Sequence, residues 1–375
     1  MLTNAHTVTL FLCGDVMTGR GIDQVLPHPS DPRLYEPYVG SATVYVELAA
    51  RVNGTIQRPV AFSYLWGDAL TELKRKAPDA TIVNLETAVT RSNDPWPGKG
   101  IHYRMHPENA QALIAAGIDC CVLANNHVLD WGVAGLLESL QTLQQAGLAT
   151  AGAGANRQQA ERPAILELDS ERRILVFAFG STSSGIPTSW RAAAERPGVW
   201  LLDDLSDATI QRIATLVDEE KRPGDVVIAS IHWGDNWGFE IPQPHRSFAH
   251  RLIDRAGIDV VHGHSSHHPL GIEVYRERPI LYGCGDFLND YEGIEGHEEF
   301  RGDLSLGYWL EIEPATGELV DLRMTPFRIR RFRLERAAIE EAQWLAETLD
   351  REGRMLGTKV EIVDDGELAL SWQTG

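Results

Sequence analysis

The chain has 375 residues with 34 basic and 53 acidic side chains, a net charge of -19; it repels phosphate backbones, which argues against a nucleic-acid partner, and it attracts metal cations. Four cysteines (Cys13, Cys120, Cys121 and Cys284) stand inside apolar runs with no CxxC pair, so disulfides and a zinc knuckle are disfavoured and a reducing compartment is expected. No stretch approaches the ~20 apolar residues of a membrane span, and the opening MLTNAHTVTLFLCGDVMTGR lacks the n-region of a signal peptide; the expected setting is cytoplasmic, away from membranes.

Short β-branched runs alternate with helical patterns, as in an α/β layered fold. No linker divides the sequence, and a single domain over 1–375 is expected. The first run, VTLFLC (8–13), leads to Gly14-Asp15 and Met17. Residues 23–66 break the alternation with many Pro and Tyr residues and end at Trp66; they predict a long irregular insertion of the lid or binding-loop kind. ATIVNL (80–85) delivers Asn84 and Glu86. Lys99, Arg104 and His106 then precede the helical pattern PENAQALIAAG, a place suited to holding a carboxylate, although a solvated loop has the same composition. DCCVLA (119–124) runs into Asn126-His127, with Asp130 and Trp131 close behind, and AGLLESLQTLQQAG predicts the next helix. AGAGAN (151–156) lacks the Lys-Ser/Thr of a P-loop and reads as a turn.

RRILVFAF (172–179) is followed by a second irregular stretch, 181–203. DVVIASI (225–231) leads to His232, Trp233 and Trp237, and RSFAHRLIDRAG predicts a helix ending at a glycine. IDVV (258–261) opens onto four histidines in seven positions, among them His264 and His267. PILYGC (279–284) gives Asp286, and a Gly-flanked acidic loop after it carries His297. From about Leu304 a tail of strands and one helix is expected to complete the second sheet.

The carboxyl ends of parallel strands share one edge, where ligands bind. Six runs thus bring Asp, Glu, Asn and His to one rim. A lone strand-end His is commonly structural, but this mixture of carboxylate, amide and imidazole donors suits Mn²⁺, Fe²⁺ or Zn²⁺. A carboxylate shared between two sets points to a dinuclear centre, with ions ~3.5–4 Å apart in typical two-metal sites.

In order, GDVM, NLET, NNHVLDWG, IHWGDN and GHSSHHPLGIEVY…ILYGCGDF resemble the blocks of the CapA-type (poly-gamma-glutamate capsule synthesis) family over about residues 8–330. The resemblance implies the calcineurin-like metallophosphoesterase fold, an α/β/β/α sandwich of two mixed sheets flanked by helices. It also implies roles: Asp15 on a first metal, Glu86 bridging, Asn126, His232 and His264 on a second, and His267 returning to the first. His127 would be the proton donor, oriented by Asp130, with water activated by the ions as nucleophile. Three positions depart from the pattern. Met17 stands where the fold usually has His, Glu86 replaces an Asp, and Asp286 replaces the Asn of GNF; one or two ions are therefore expected. Asp286, Arg104, Trp131, Trp233 and Trp237 are candidate substrate contacts, with core packing an equal reading for the tryptophans.

The first functional expectation is a metal-dependent hydrolase or transferase on a peptide-like or phosphorylated substrate. The alternative is a cytoplasmic peptide epimerase of ribosomal peptide maturation, exchanging a Cα proton through Asp15 and His297. A purely binding protein would have no need of the Asn126-His127 pair.

Overall fold

A computed structural model describes residues 7–170 and 172–373. Two mixed sheets face one another. The larger has ten strands; its main path runs Thr358–Ile362, Leu368–Trp372, Glu318–Ile329, Leu304–Glu313, Val8–Val16, Ala80–Leu85, Cys120–Val122 and Ala149–Ala151. The smaller has six, in the order Ile272–Tyr275, Arg278–Leu281, Val260–His264, Val226–His232, Arg173–Gly180 and Ala164–Glu167.

The period-2 alternation of the strands explains the layering. Val8, Leu10 and Leu12 of the first strand point inward and pack with Ile174, Val176, Ile228 and Val260 of the smaller sheet. Phe11 and Cys13 point the other way, into a core with Leu113, Leu136 and Leu143 of the outer helices. On the far side Phe177, Ala229 and Val261 meet Ile210, Ile213, Phe248 and Leu252 of helices Asp207–Glu220 and Gln243–Ala256. Helix, sheet, sheet, helix is the expected sandwich, and all four cysteines are buried free thiols within it.

Three expectations change. The tail from Leu304 does not complete the smaller sheet. Its strand Leu304–Glu313 pairs antiparallel with Val8–Cys13, because the first strand has a free edge opposite Ala80–Leu85. The 23–66 insertion is not wholly irregular, since Thr43–Asn53 forms a helix burying Tyr45, Val46 and Ala49. Asp23 pins its start by accepting bonds from the backbone N–H groups of Ser30 (2.6 Å) and His106 (2.8 Å) and from Asn109 Nδ2 (2.8 Å). Finally, PENAQALIAAG is a 3₁₀ turn, Pro107–Ala110, running into the short helix Gln111–Ala115.

In both sheets the parallel strands end at the same rim. Val8–Val16, Ala80–Leu85 and Cys120–Val122 run parallel in one, and Arg173–Gly180, Val226–His232 and Val260–His264 in the other. The registers are specific: Asp15 lies beside Asn84, and His232 beside His264.

Candidate metal centre

A chain crossing puts the first carboxylates together. A Cβ on Gly14 would fall 1.6 Å from Gly285 O, so only glycine lets the two segments pass. Directly beyond it Asp15 N–H donates to Gly285 O at 2.9 Å, and Asp15 pairs in register with Asp286 on the parallel strand Asp286–Leu288.

Amides set the next layer. Asn84 Nδ2 donates to Asp15 Oδ1 (2.7 Å) and Glu86 Oε2 (3.2 Å). Asn125 Nδ2 holds Asn84 Oδ1 at 3.0 Å, while Asn125 Oδ1 accepts the His127 N–H at 3.1 Å. Burial, then the neighbouring Asp286, push the Asp15 carboxyl up to about 7. Burial and the charge of Asp15 hold Glu86 well above the usual carboxylate range, since ionised carboxylates so close together repel.

The smaller sheet supplies imidazoles. His232 Nδ1 lies 2.8 Å from His264 Nδ1, and His232 Nε2 lies 3.2 Å from Asn126 Oδ1. Ser230 Oγ bonds His264 Nε2 at 2.9 Å from behind. Burial lowers both imidazoles well below their ordinary range, so they stand neutral, as ligation requires. His267 differs. Burial lowers it, but Asp286 at 2.8 Å and then Asp15 outweigh that, and its net shift is upward. Two donor sets result, Asp15–His232–His264 and Asp15–His267–Asp286, each with ligand atoms within 4.8 Å of one another.

His127 stands at one flank, its Nε2 3.8 Å from Glu86 Oε1. Its Nδ1 meets Asp130 Oδ2 at 2.6 Å, and Tyr103 N–H donates to the same oxygen at 2.6 Å. Lys99 Nζ donates to Asp130 Oδ1 at 2.6 Å and lies 3.0 Å from His127 Nδ1. Burial pushes His127 down to about 4 despite Asp130, with Lys99 adding to the effect. Asp130 stays low, because His127 and Lys99 overcome its burial.

Not every expected contact reaches the site. Trp131 is core, with the Arg104 guanidinium 3.9 Å above its ring. Arg104 itself is buried and donates to Ser92 O, Asn93 Oδ1 and Asp31 O, so it clamps the insertion rather than facing the rim. Trp233 stacks on His245 at 4.5 Å and donates to Tyr282 O, and Trp66 is buried. All three rings are buried rather than set on the rim. Trp237 does stand at the rim, 5.2 Å from His267 and stacked at 4.0 Å on exposed His297. Asp286 is buried and bonded to His267 and to Asn289 Nδ2 (2.8 Å); it belongs with the donor sets rather than on a substrate wall. Met17 is buried, with its sulfur 3.8 Å from the Tyr291 hydroxyl.

Sequence reasoning missed Arg20. Its backbone takes a left-handed φ of 52°, and its guanidinium bonds Asp290 and Glu36 (3.0 Å). It lies 3.7 Å over Tyr45 and 4.6 Å over Tyr103, the ring packed edge-on against His127. A lone Arg after GDVMTG carries no local signal of this.

The sandwich, with carboxylate, amide and imidazole donors at the shared strand ends, defines a metallophosphoesterase-like protein. Within that class the chain belongs to the family described as bacterial capsule synthesis protein PGA_cap, whose pattern matches residues 9–291. It is 49% identical over 371 residues to a probable polyglutamine synthesis accessory protein of Mycobacterium tuberculosis, covering 99% of this chain and 97% of that one. It is 24% identical to the capsule biosynthesis protein CapA of Bacillus anthracis over 283 residues (76% of this chain, 60% of that one). With the PGA biosynthesis protein CapA of Bacillus subtilis the figure is 27% over 216 residues (57% and 54%).

Proposed function

We propose that this protein is a metal-dependent hydrolase or transferase acting in the cytoplasm on a peptide-like or phosphorylated substrate of capsule-type polymer synthesis. The observation that carries the reading is the pair of buried donor sets with Asp15 in common. No amide, hydroxyl or imidazole among the described residues donates to buried Asp15 Oδ2, and a buried carboxylate oxygen left to another carboxyl is costly. The donors fit a divalent first-row ion, held by Asp15, Glu86, Asn126, His232, His264 and His267. Such an ion supplies Lewis acidity and makes a bound water more acidic.

The chain's own residues handle the leaving group. In hydrolysis a water oxygen bonds to the reacting centre as its proton leaves to solvent, the bond to the leaving group breaks, and His127 Nε2 hands that group a proton. Asp130 fixes the ring, and Lys99 fixes Asp130. His127 is neutral in the free site, so its proton comes with a charged substrate, whose negative charge favours the imidazolium. The names of the relatives, capsule and polyglutamine synthesis proteins, support a polymer of amino-acid units as the context.

Elemental mass spectrometry of the purified protein, beside Glu86→Ala and His264→Ala, tests the reading. Near-stoichiometric Mn, Fe or Zn in wild type, lost in both variants, is expected. A folded wild type that stays empty after loading with each ion refutes it.

A second reading is peptide epimerisation, with Asp15 and His297 removing and returning a Cα proton. It is favoured by the stacking of His297 on Trp237, which also touches His267. Solvent deuterium entering a peptide Cα, abolished in His297→Ala and independent of added metal, is its expected signature.

A further inference from the structure

Met17 leaves the first donor set one ligand short of the fold's usual pattern, and its thioether is a poor donor for oxygen-preferring ions. The chain crossing at Gly14 and Gly285 brings a different donor to the same place. Asp286 lies in register beside Asp15, is 1% exposed, and directs Oδ1 at His267 from 2.8 Å. Asn289 holds its other oxygen, donating to Oδ2 at 2.8 Å. The two donor sets are thus unlike. One has two carboxylates and one imidazole, Asp15–Asp286–His267; the other has one carboxylate and two imidazoles, Asp15–His232–His264, with the Asn126 amide oxygen beside them. A further sign that this pocket is built for a cation is Asp15 Oδ2, fully buried and given no bond by an amide, hydroxyl or imidazole among the described residues, so that Asp15 shares a proton with the Glu86 carboxyl instead.

Resting on the metal-centre reading above, we infer that Asp286 is a metal ligand that replaces the missing histidine and makes the first subsite selective for a hard, oxygen-preferring ion such as Mn²⁺, while the second subsite takes Zn²⁺ or Fe²⁺. Carboxylate donors suit Mg²⁺ and Mn²⁺, and imidazole suits Zn²⁺ and Fe²⁺. The competing role for Asp286 is purely orienting, as the acceptor that fixes the His267 ring while His267 alone binds. The variant Asp286→Asn separates the two, since the amide oxygen still accepts from His267 Nδ1–H but the anionic donor is gone.

Metal-free protein is given one equivalent of Zn²⁺ and titrated with Mn²⁺, free Mn²⁺ being counted by its electron paramagnetic resonance signal. Wild type is expected to take one ion of each kind. In Asp286→Asn, Zn²⁺ affinity is unchanged and Mn²⁺ affinity falls by more than about a hundredfold, beyond the ~10–100-fold typical of outer-shell partners. Adding Met17→His to that variant restores a second ion, now preferring Zn²⁺. Mn²⁺ affinity within about a hundredfold of wild type in Asp286→Asn matches the orienting role, overturns the inference and leaves the metal reading intact, as does loss of Zn²⁺ instead of Mn²⁺. A wild type that binds neither ion sinks the metal reading, and this inference with it. Should Asp286→Asn not fold by near-UV circular dichroism, Met17→His alone decides. A rise of at least tenfold in Zn²⁺ affinity at the first subsite supports the inference, and none overturns it.

Discussion

The metal-free site is destabilised by its own carboxylates, and Asp15→Asn measures by how much. Asp15 rises from the usual 3.8 to about 7 on folding, a shift that corresponds to about 4 kcal/mol against the folded state at pH 8. The folded pKa lies above the unfolded one, so the penalty is absent below pH ~4, grows as pH rises, and is complete above ~7. Asparagine removes the charge, and its amide can donate to Glu86. With an unfolding entropy of ~2.1 cal/mol/K per residue, or ~0.8 kcal/mol/K for the whole chain, 4 kcal/mol is ~5 °C in Tm. In chelator at pH 8 the variant should melt up to about 5 °C higher than wild type, with the gap shrinking to about 2 °C at pH 5. Mn²⁺ at ~100 Kd adds ~2.7 kcal/mol to wild type alone and should narrow the gap at pH 8 to about 2 °C. Scanning calorimetry at the two pH values with and without metal reads all of this. A variant that melts below wild type in chelator at pH 8, or a gap independent of pH, refutes the reasoning.

Other perturbations probe the frame around the centre. Asp130→Asn leaves half-buried Lys99 without its counter-ion and should cost up to ~3 kcal/mol by urea unfolding, while Lys99→Met should cost less. Gly14→Ala drives a Cβ to 1.6 Å from Gly285 O and should give protein that fails to fold or binds no metal. Gly40→Ala, with nothing within 4 Å, should stay within ~0.5 kcal/mol of wild type. Glu273 is raised by burial but held low overall by bonds from His250 (3.0 Å) and the Tyr282 hydroxyl (2.6 Å). Its contribution is therefore present above pH ~4.5 and lost as pH falls through its lowered pKa; Glu273→Gln should destabilise at pH 7, with the difference closing in acid.

The strand ends were legible because their signal is local. A short apolar run followed by Asp, Glu, Asn or His marks its own carboxyl end, and Asp15, Glu86, Asn126, His232, His264 and His267 all meet at the rim. Distant pairing was not legible. Asp286 joins Asp15 only through the crossing of Gly14 and Gly285, 271 positions apart in chain order. Lys99 could be read as holding a carboxylate or as a solvated loop residue, and the carboxylate it holds, Asp130, lies 31 residues on. Trp131 and Trp233 stood open in the same way. Their position after a histidine left a substrate wall and core packing equal, and burial against Arg104 and His245 favours core.

Charge balance is what a cation would satisfy here. Asp15, Glu86 and Asp286 bring three carboxyls into one buried space. Among the described residues the nearby cations are half-buried Lys99 and buried Arg20, and both are already paired: Lys99 with Asp130, Arg20 with Asp290 and Glu36. The imidazoles of His232 and His264 are held neutral by burial, so they offset nothing. His267 alone is shifted toward its charged form, and it faces Asp286. Without an added positive charge, protons must neutralise the remaining carboxyls, which is why Asp15 and Glu86 are pushed upward. A divalent ion would displace those protons and use the same lone pairs. Binding should therefore release protons, and titrating the metal-free protein with Mn²⁺ at pH 6 in two buffers of different ionisation enthalpy would count them. Wild type should release more than Asp15→Asn, and equal release from the two would contradict the shared role of Asp15.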